Sequence, residues 1–179
     1  MKKKRWNDRV KDILFPVILP LSGIKIRYEV NLVNECERIP DKPVIYACNH
    51  SQFSDIPIAT RAIGKRSYIL LGKQKLYLID RIFFHLLGAI WVDRKDKEHK
   101  KKVKEKILCH LNRGQSILWF PEGTWNLTEN LLMLPMRWGI IEAAHKAGGQ
   151  IVPMAIRYDR KNKKCQIMFS LHLREDICY

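Results

Sequence analysis

His50 and Asp55 stand five residues apart, between an apolar run (Val44, Ile45, Tyr46, Ala47) and an apolar helical pattern that opens with Ile56 and Pro57. On one continuous helix they would lie roughly 140° apart, at about 100° per residue, and could not meet. They can meet if His50 ends a strand-to-helix loop and Asp55 opens the helix, where Pro57 suits the first turn. The carboxylate could then hold one imidazole nitrogen and leave the other to take a proton, which is a general-base dyad in outline. The competing reading is structural: a helix-capping Asp beside a hydrogen-bonded loop His. Taken alone, the stretch leaves both open.

Two further stretches place polar or conformationally special residues in loops or bends. An apolar run at 116–120 is followed by Pro121, Glu122, Gly123, Thr124 and Trp125, a turn-prone series whose glycine lets a ligand approach the backbone. Later, Ile151, Val152, Pro153 and Met154 read as a strand interrupted by proline, which predicts a sheet edge or a bend there. Each signal is weak singly, since a lone Glu-Gly-Thr is usually no more than a turn.

The elements that must position these loops alternate between strand and helix. Strand patterns fall at 26–33 (half-buried, alternating), 44–48, 67–71, 89–92, 116–120, 151–158 and 166–172, the last two joined by a basic turn at 159–164. Helical patterns fall at 56–63, 77–87 and 136–147, stopping at Gly64, Gly88 and Gly148. Val103, Ile107, Leu108 and Leu111 mark another, running to Arg113 and Gly114. Its outer face carries Lys95, Lys97, Lys100, Lys101, Lys102, Lys104 and Lys106, either as solvated surface or as a contact for anionic headgroups or an acidic partner. Strands spaced by helices of about ten residues predict an α/β fold: a single domain with a mostly parallel central sheet flanked by helices.

At 179 residues the chain has room for one well-filled core, and its 46% hydrophobic content makes it globular. A formal net charge of +15 points to an anionic partner: nucleic acid, an anionic membrane surface or a phosphorylated small molecule. Five scattered cysteines with no C-x-x-C pair argue against a disulfide framework or a structural zinc site and suit a reducing compartment. No metal site is expected.

Residues 1–24 differ in character. A basic cluster (Lys2, Lys3, Lys4, Arg5) precedes Trp6, Val10, Ile13 and Leu14, which form an apolar stripe on a short helix, as in an amphipathic membrane-interface segment. The apolar run 13–24 is interrupted by Pro16 and Pro20 and is too short to span a bilayer, which needs about 20 residues. A secretory signal fits poorly, given the prolines, Asp12 and the lack of a small-x-small cleavage site. A terminal helix packed on its own domain is the remaining alternative. The expected division is 1–24 as the interfacial segment and 25–179 as the main domain.

In order, the chain shows Asn49-His50 with Asp55, then Gly72-Lys73-Gln74-Lys75-Leu76, then Gly88 to Arg94 with its Val92-Asp93-Arg94, then Phe120-Pro121-Glu122-Gly123-Thr124, then Ile151-Val152-Pro153. The series closely resembles the four sequence blocks of the glycerolipid acyltransferase family, whose best-known members are 1-acyl-glycerol-3-phosphate acyltransferases. It covers about residues 44–156, nearly two-thirds of the chain. The resemblance implies a membrane-associated enzyme that moves a fatty acyl group from acyl-CoA or acyl-carrier protein to a lysophospholipid hydroxyl. In that role His50 is the catalytic base and Asp55 its orienter. Glu122, Gly123 and Thr124 would line the acceptor pocket, with Lys73, Lys75 and Arg94 as phosphate contacts and Val152 and Pro153 on the acyl-donor side. The acyl thioester is a co-substrate, and no cofactor is implied. The expected location is peripheral, on the cytoplasmic face of the cell membrane.

One position departs from the family. Lysophosphatidate enzymes generally carry arginine after Glu-Gly-Thr, where it helps bind the acceptor phosphate, and here the residue is Trp125. Indole offers a flat apolar face and one N–H donor but no charge. Either a nearby cation such as Arg137 or Arg94 compensates, or the acceptor is a sugar- or amine-bearing lipid. Two other classes are weighed against the enzyme. A basic nucleic-acid-binding protein lacks support from any helix-turn-helix, zinc or R-G-F pattern, so no nucleic acid is expected. A catalytically idle lipid binder would not need the His50 and Asp55 pair.

Overall fold

The computed structural model describes residues 6–22, 28–33, 43–75, 77–128, 131 and 133–170, and the side chains of 9–17 within the first helix. Seven strands form one sheet in the order β1-β7-β6-β2-β5-β3-β4, with bounds β1 Glu29–Leu32, β2 Val44–Cys48, β3 Ser67–Gly72, β4 Ala89–Val92, β5 Ser116–Trp119, β6 Gln150–Asp159 and β7 Lys164–Phe169. The run from β6 through β2, β5 and β3 to β4 is parallel; β7 pairs antiparallel with β6, and β1 runs parallel to β7. The expected α/β domain with a mostly parallel sheet is therefore what forms.

All five residues of β2 are buried, because both faces of the sheet are covered. The period-two alternation of a strand divides them. Val44, Tyr46 and Cys48 join a core with Phe15 of α1 (Trp6–Ser22), Ile56 and Ile58 of α2 (Asp55–Ile63), and Phe84 and Leu87 of α3 (Leu78–Leu87). Ile45 and Ala47 join a second core with Val103, Ile107 and Leu111 of α4 (Lys97–Leu111) and Ile140 and Ala143 of α5 (Gly139–Ala147). The parallel strands end together at one edge. The loops after β2, β3, β4 and β5 open there, where an α/β sheet presents its ligand site.

Four details differ from the sequence expectations. The helix at 136–147 begins only at Gly139. Residues before it are held as a loop: Leu134 N–H donates to Glu122 and Arg137 N–H to the Pro121 carbonyl. Strand β1 is short and exposed along its length, since it is an edge strand paired only with β7; residues 26–27 of the expected strand lie outside the described ones. Pro153 sits in an inner strand, not at an edge. Its carbonyl accepts from Ser170 N–H just past the end of β7, so its missing N–H falls at the last rung of that ladder, where only one bond is forgone. Lastly, α1 is one helix through both Pro16 and Pro20, where interruption was expected. It rests on the domain: Phe15 is buried in the first core and Asp12 pairs with Arg66. This packing offsets the roughly 3 kcal/mol that an interior proline costs a helix.

Candidate active site

The site is assembled by backbone bonds between loops. Asn49 follows directly after β2, and its side-chain amide bonds the Ile156 backbone both ways, Nδ2 to the carbonyl at 2.9 Å and Ile156 N–H to Oδ1 at 2.8 Å, which pins the loop to β6. His50 N–H donates to Glu122 Oε1 at 2.6 Å, and Asn126 N–H donates to the His50 carbonyl at 2.6 Å. The His50 backbone is thus gripped on both sides by the loop after β5. Its ring stacks on Phe120, with centroids 4.2 Å apart, and meets the edge of Trp125 at 6.1 Å.

His50 Nδ1 lies 3.0 Å from Asp55 Oδ2, so the histidine and aspartate do come together. Asp55 is not the helix cap; Ser54 occupies that position, and Asp55 is the first helical residue with its carboxylate turned back into the loop. The same Oδ2 accepts N–H from Ser51 at 2.6 Å and from Gln52 at 2.8 Å. Three donors on one oxygen, at the start of a helix, favour the ionised carboxylate. An ionised carboxylate can only accept, so Nδ1 carries the proton and Nε2 keeps its lone pair. The pair is almost fully buried, His50 at 9% and Asp55 at 1% exposure, and the His50 side chain lines an open cleft of about 630 Å³. The arrangement is chemically able to take a proton from a hydroxyl held in that cleft.

Of the other residues singled out in the sequence, Lys73, Arg94, Thr124 and Trp125 line the cleft with His50. Arg94 lies along Gly72, its guanidinium only 3.0 Å from where a Cβ would stand, so that glycine makes the room for it. Gly123, at φ 71°, leaves the same kind of space for Arg137, whose Nε approaches to 2.7 Å of a built Cβ. Arg94 is less basic than an ordinary guanidinium, first because of burial and then because of the positive charge of Arg137. Lys73 pairs with Asp93 at 3.3 Å. Lys75 is exposed and lies outside the cleft lining.

Glu122 has a different task from the one its block suggested. It is 3% exposed, one oxygen accepts from His50 N–H and the other from Leu134 N–H, so it ties three loop segments together and does not line the cleft. Val152 is buried in the first core, and Pro153 stands in β6; neither is part of the cleft lining. Tyr158 escaped the sequence reading. On β6 it follows Met154 and Ile156 on one face, and its hydroxyl donates to Asp55 Oδ1. The available signal was a phenol on an apolar strand face, which needs a buried partner.

A parallel α/β domain with a carboxylate-held imidazole beside a cationic cleft at the carboxyl edge of its sheet defines the class. The chain belongs to the acyltransferase family, which it matches over residues 30–157. It is 32% identical over 119 residues to a 1-acyl-sn-glycerol-3-phosphate acyltransferase of Chlamydomonas reinhardtii, covering 65% of this chain and 35% of that protein. It is 25% identical over 133 residues to a lyso-ornithine lipid O-acyltransferase of Pseudomonas aeruginosa, covering 74% and 49%. The chain thus spans a third to a half of those two relatives. The crystal structure of the 1-acyl-sn-glycerophosphate acyltransferase of Thermotoga maritima shares the fold, with a TM-score of 0.68 at 16% identity over 93% of this chain and 72% of that one.

Proposed function

We propose that this protein transfers a fatty acyl group from acyl-CoA or acyl-carrier protein to the free hydroxyl of a phosphate-bearing lysophospholipid. His50 Nε2 takes the hydroxyl proton as the oxygen attacks the thioester carbonyl carbon. The tetrahedral intermediate then collapses with loss of the C–S bond, and the thiolate recovers the proton from the imidazolium. Asp55 holds the tautomer and balances that transient charge.

The observation that carries the phosphate is the pair Arg94 and Arg137. Each lies over a glycine, Arg94 in the cleft lining and Arg137 behind Gly123, and the charge of Arg137 is felt at Arg94. Among the described residues neither guanidinium has a carboxylate ion-pair partner, and two such cations close together suit phosphate. Arg137 thereby supplies the charge that Trp125 lacks. Thiol release from acyl-CoA, measured with lysophosphatidate and with uncharged acceptors, tests this. Arg94→Ala and Arg137→Ala should raise KM for lysophosphatidate by about tenfold each, as expected for a lost charge-assisted contact, and leave uncharged acceptors little changed. Equal loss on both acceptor types would count against the phosphate role.

A second reading has one specific support. Trp125 presents its indole to His50 in the cleft, and one relative bears the name of a lyso-ornithine lipid acyltransferase. An amine-bearing head could stack on that ring. Preference for such an acceptor in the same panel, abolished by Trp125→Arg, would favour it.

Residues 1–24 we assign to the membrane interface. Among the described residues no helix is long and apolar enough to cross a bilayer. Yet α1 turns Ile13 (74% exposed) and Val17 outward, and its neighbour α3 does the same with Leu78 and Ile82. Such apolar stripes beside exposed Arg9 and Arg81 suit a peripheral location on an anionic leaflet. Since Phe15 belongs to the core, Ile13→Asp with Val17→Asp is a cleaner test than truncation, and pelleting with anionic vesicles should drop sharply.

A further inference from the structure

We propose that Tyr158 is a positioning residue for the His50 and Asp55 pair, its phenol fixing which way the carboxylate faces and how much of its charge the imidazole feels. The inference rests on the proton-transfer role proposed above for that pair. Asp55 Oδ2 is filled by His50 and two backbone N–H groups, and Oδ1 takes the Tyr158 hydroxyl. Three donors thus crowd one oxygen of the carboxylate, and the Tyr158 hydroxyl is the donor on the other. Those three come from the loop that carries His50 itself. Tyr158 alone comes from the neighbouring strand, β6, so it locks the rotation of the carboxylate to the scaffold and not to the loop.

The phenol is itself held. Its ring packs on Tyr28, with centroids 4.8 Å apart at 55°, and Tyr158 does not line the cleft. The other titratable groups around Asp55 are Cys48 on β2, Cys165 on β7 and Glu122 after β5. Burial and then Asp55 push both thiols up, Cys165 to about 11 and Cys48 well above its ordinary value. Glu122 is fixed by two backbone donors. Burial and then the carboxylate push the Tyr158 hydroxyl far above an ordinary phenol, so it stays a donor throughout the working pH range. Across neutral pH, Tyr158 is thus the tunable donor on the carboxylate.

A donor to Asp55 stabilises the pair once it has lost its proton. Its removal therefore raises the proton affinity of the pair, and a stronger donor lowers it. The test uses the full chain in three forms: wild type, Tyr158→Phe, and 3-fluorotyrosine placed at 158 alone. The His50 ring resonances, assigned with His50→Ala, are followed by NMR against pH, beside the pH profile of kcat/KM for thiol release. In Tyr158→Phe the titration midpoint and the acid limb should both move up by about one pH unit, the worth of one charge-assisted hydrogen bond. Below both midpoints kcat should fall by up to about tenfold, with the loss vanishing above them, while acceptor KM holds within about twofold. The fluorotyrosine form should shift both in the opposite direction. It keeps the shape of the ring, so it decides the matter if the Phe form does not fold. An unmoved midpoint, equal shifts in both variants, or a loss of kcat that is uniform in pH would overturn the assignment. His50→Ala in the same assay separates the two ideas: retained turnover sinks the proposed function, whereas a dead His50→Ala beside an unmoved Tyr158→Phe midpoint sinks only the role of Tyr158.

Discussion

Among the described residues two histidines are buried in nearly the same way, at opposite edges of the sheet. His50 Nδ1 meets Asp55, five residues on, at 3.0 Å, and the ring stacks on Phe120 at 4.2 Å and 27°. His110, at the end of α4, donates from Nδ1 to Gln115, also five residues on, at 2.7 Å, and its ring stacks on Tyr68 at 3.7 Å and 29°. Burial is similar, 9% and 8%. What differs is the partner and the outlook. Asp55 brings a charge that can balance an imidazolium, and His50 faces a cleft; Gln115 brings only a dipole, and His110 does not line that cleft. Spacing and stacking hold an imidazole in place. An anionic partner and an open face are what equip it to move a proton.

Breaking the first pair should therefore cost catalysis, and breaking the second should cost stability. The largest effect is expected for His50→Ala: turnover per folded molecule in a thiol-release assay falls by about 10²–10⁴-fold, the usual worth of a general base, in addition to the stability cost of losing a buried, stacked ring. Near-normal turnover would remove His50 from the mechanism. Asp55→Asn comes next and converts the first pair into a likeness of the second, with an amide facing the imidazole. An amide can present N–H to Nδ1, select the wrong tautomer and fail to balance the imidazolium, so kcat should fall by at least about 10²-fold. If Asp55→Asn kept wild-type turnover, the charge of the partner would not be what separates the two histidines.

His110→Ala should do the reverse. It deletes a stacked ring and leaves the Gln115 carbonyl without the imidazole donor, at a cost of about 1–3 kcal/mol in denaturant unfolding. Turnover per folded molecule should stay within about twofold of wild type. A loss of kcat on the scale of Asp55→Asn would show that the amino edge of the sheet takes part in chemistry.

The comparison also shows how far the sequence could be read. The strand-helix alternation predicted the sheet well, because period-two and period-3.6 patterns express burial directly. The meeting of His50 with Asp55 was one of two readings and became compelling only beside the ordered family blocks. Glu122 and Tyr158 were not legible. What Glu122 does depends on Leu134, twelve residues away, and on His50, seventy-two residues away, and Tyr158 reaches Asp55 from a strand whose place beside β2 no local pattern states. The start of α5 was misplaced for a related reason: the stretch before it is helical in pattern, but its amides are claimed by the loop at Pro121 and Glu122. Local propensity yields wherever a distant acceptor competes for the backbone.

The smallest effect is expected on the surface of the side that holds His110, at the seam of α4 and α5. Glu142 bonds Lys104 across the seam at 2.7 Å and Lys146 one turn on at 2.8 Å. Those two cations, by hydrogen bond and by charge, draw its carboxyl down to about 2 from its ordinary 4.5. A folded-state value below the unfolded one means the stabilisation is complete above about pH 4.5 and is lost as pH falls through 2. Glu142→Gln should therefore flatten the acid side of a plot of melting temperature against pH in that window and nowhere else. Because the carboxylate and both of its cations are open to solvent, added salt should shrink the difference between the two proteins. Wild-type and variant curves that run parallel through the window would show that the seam is held by apolar packing of Ile107 and Ala143 alone. In either case thiol release should be unchanged, since Glu142 and its two lysines, like His110, do not line the cleft.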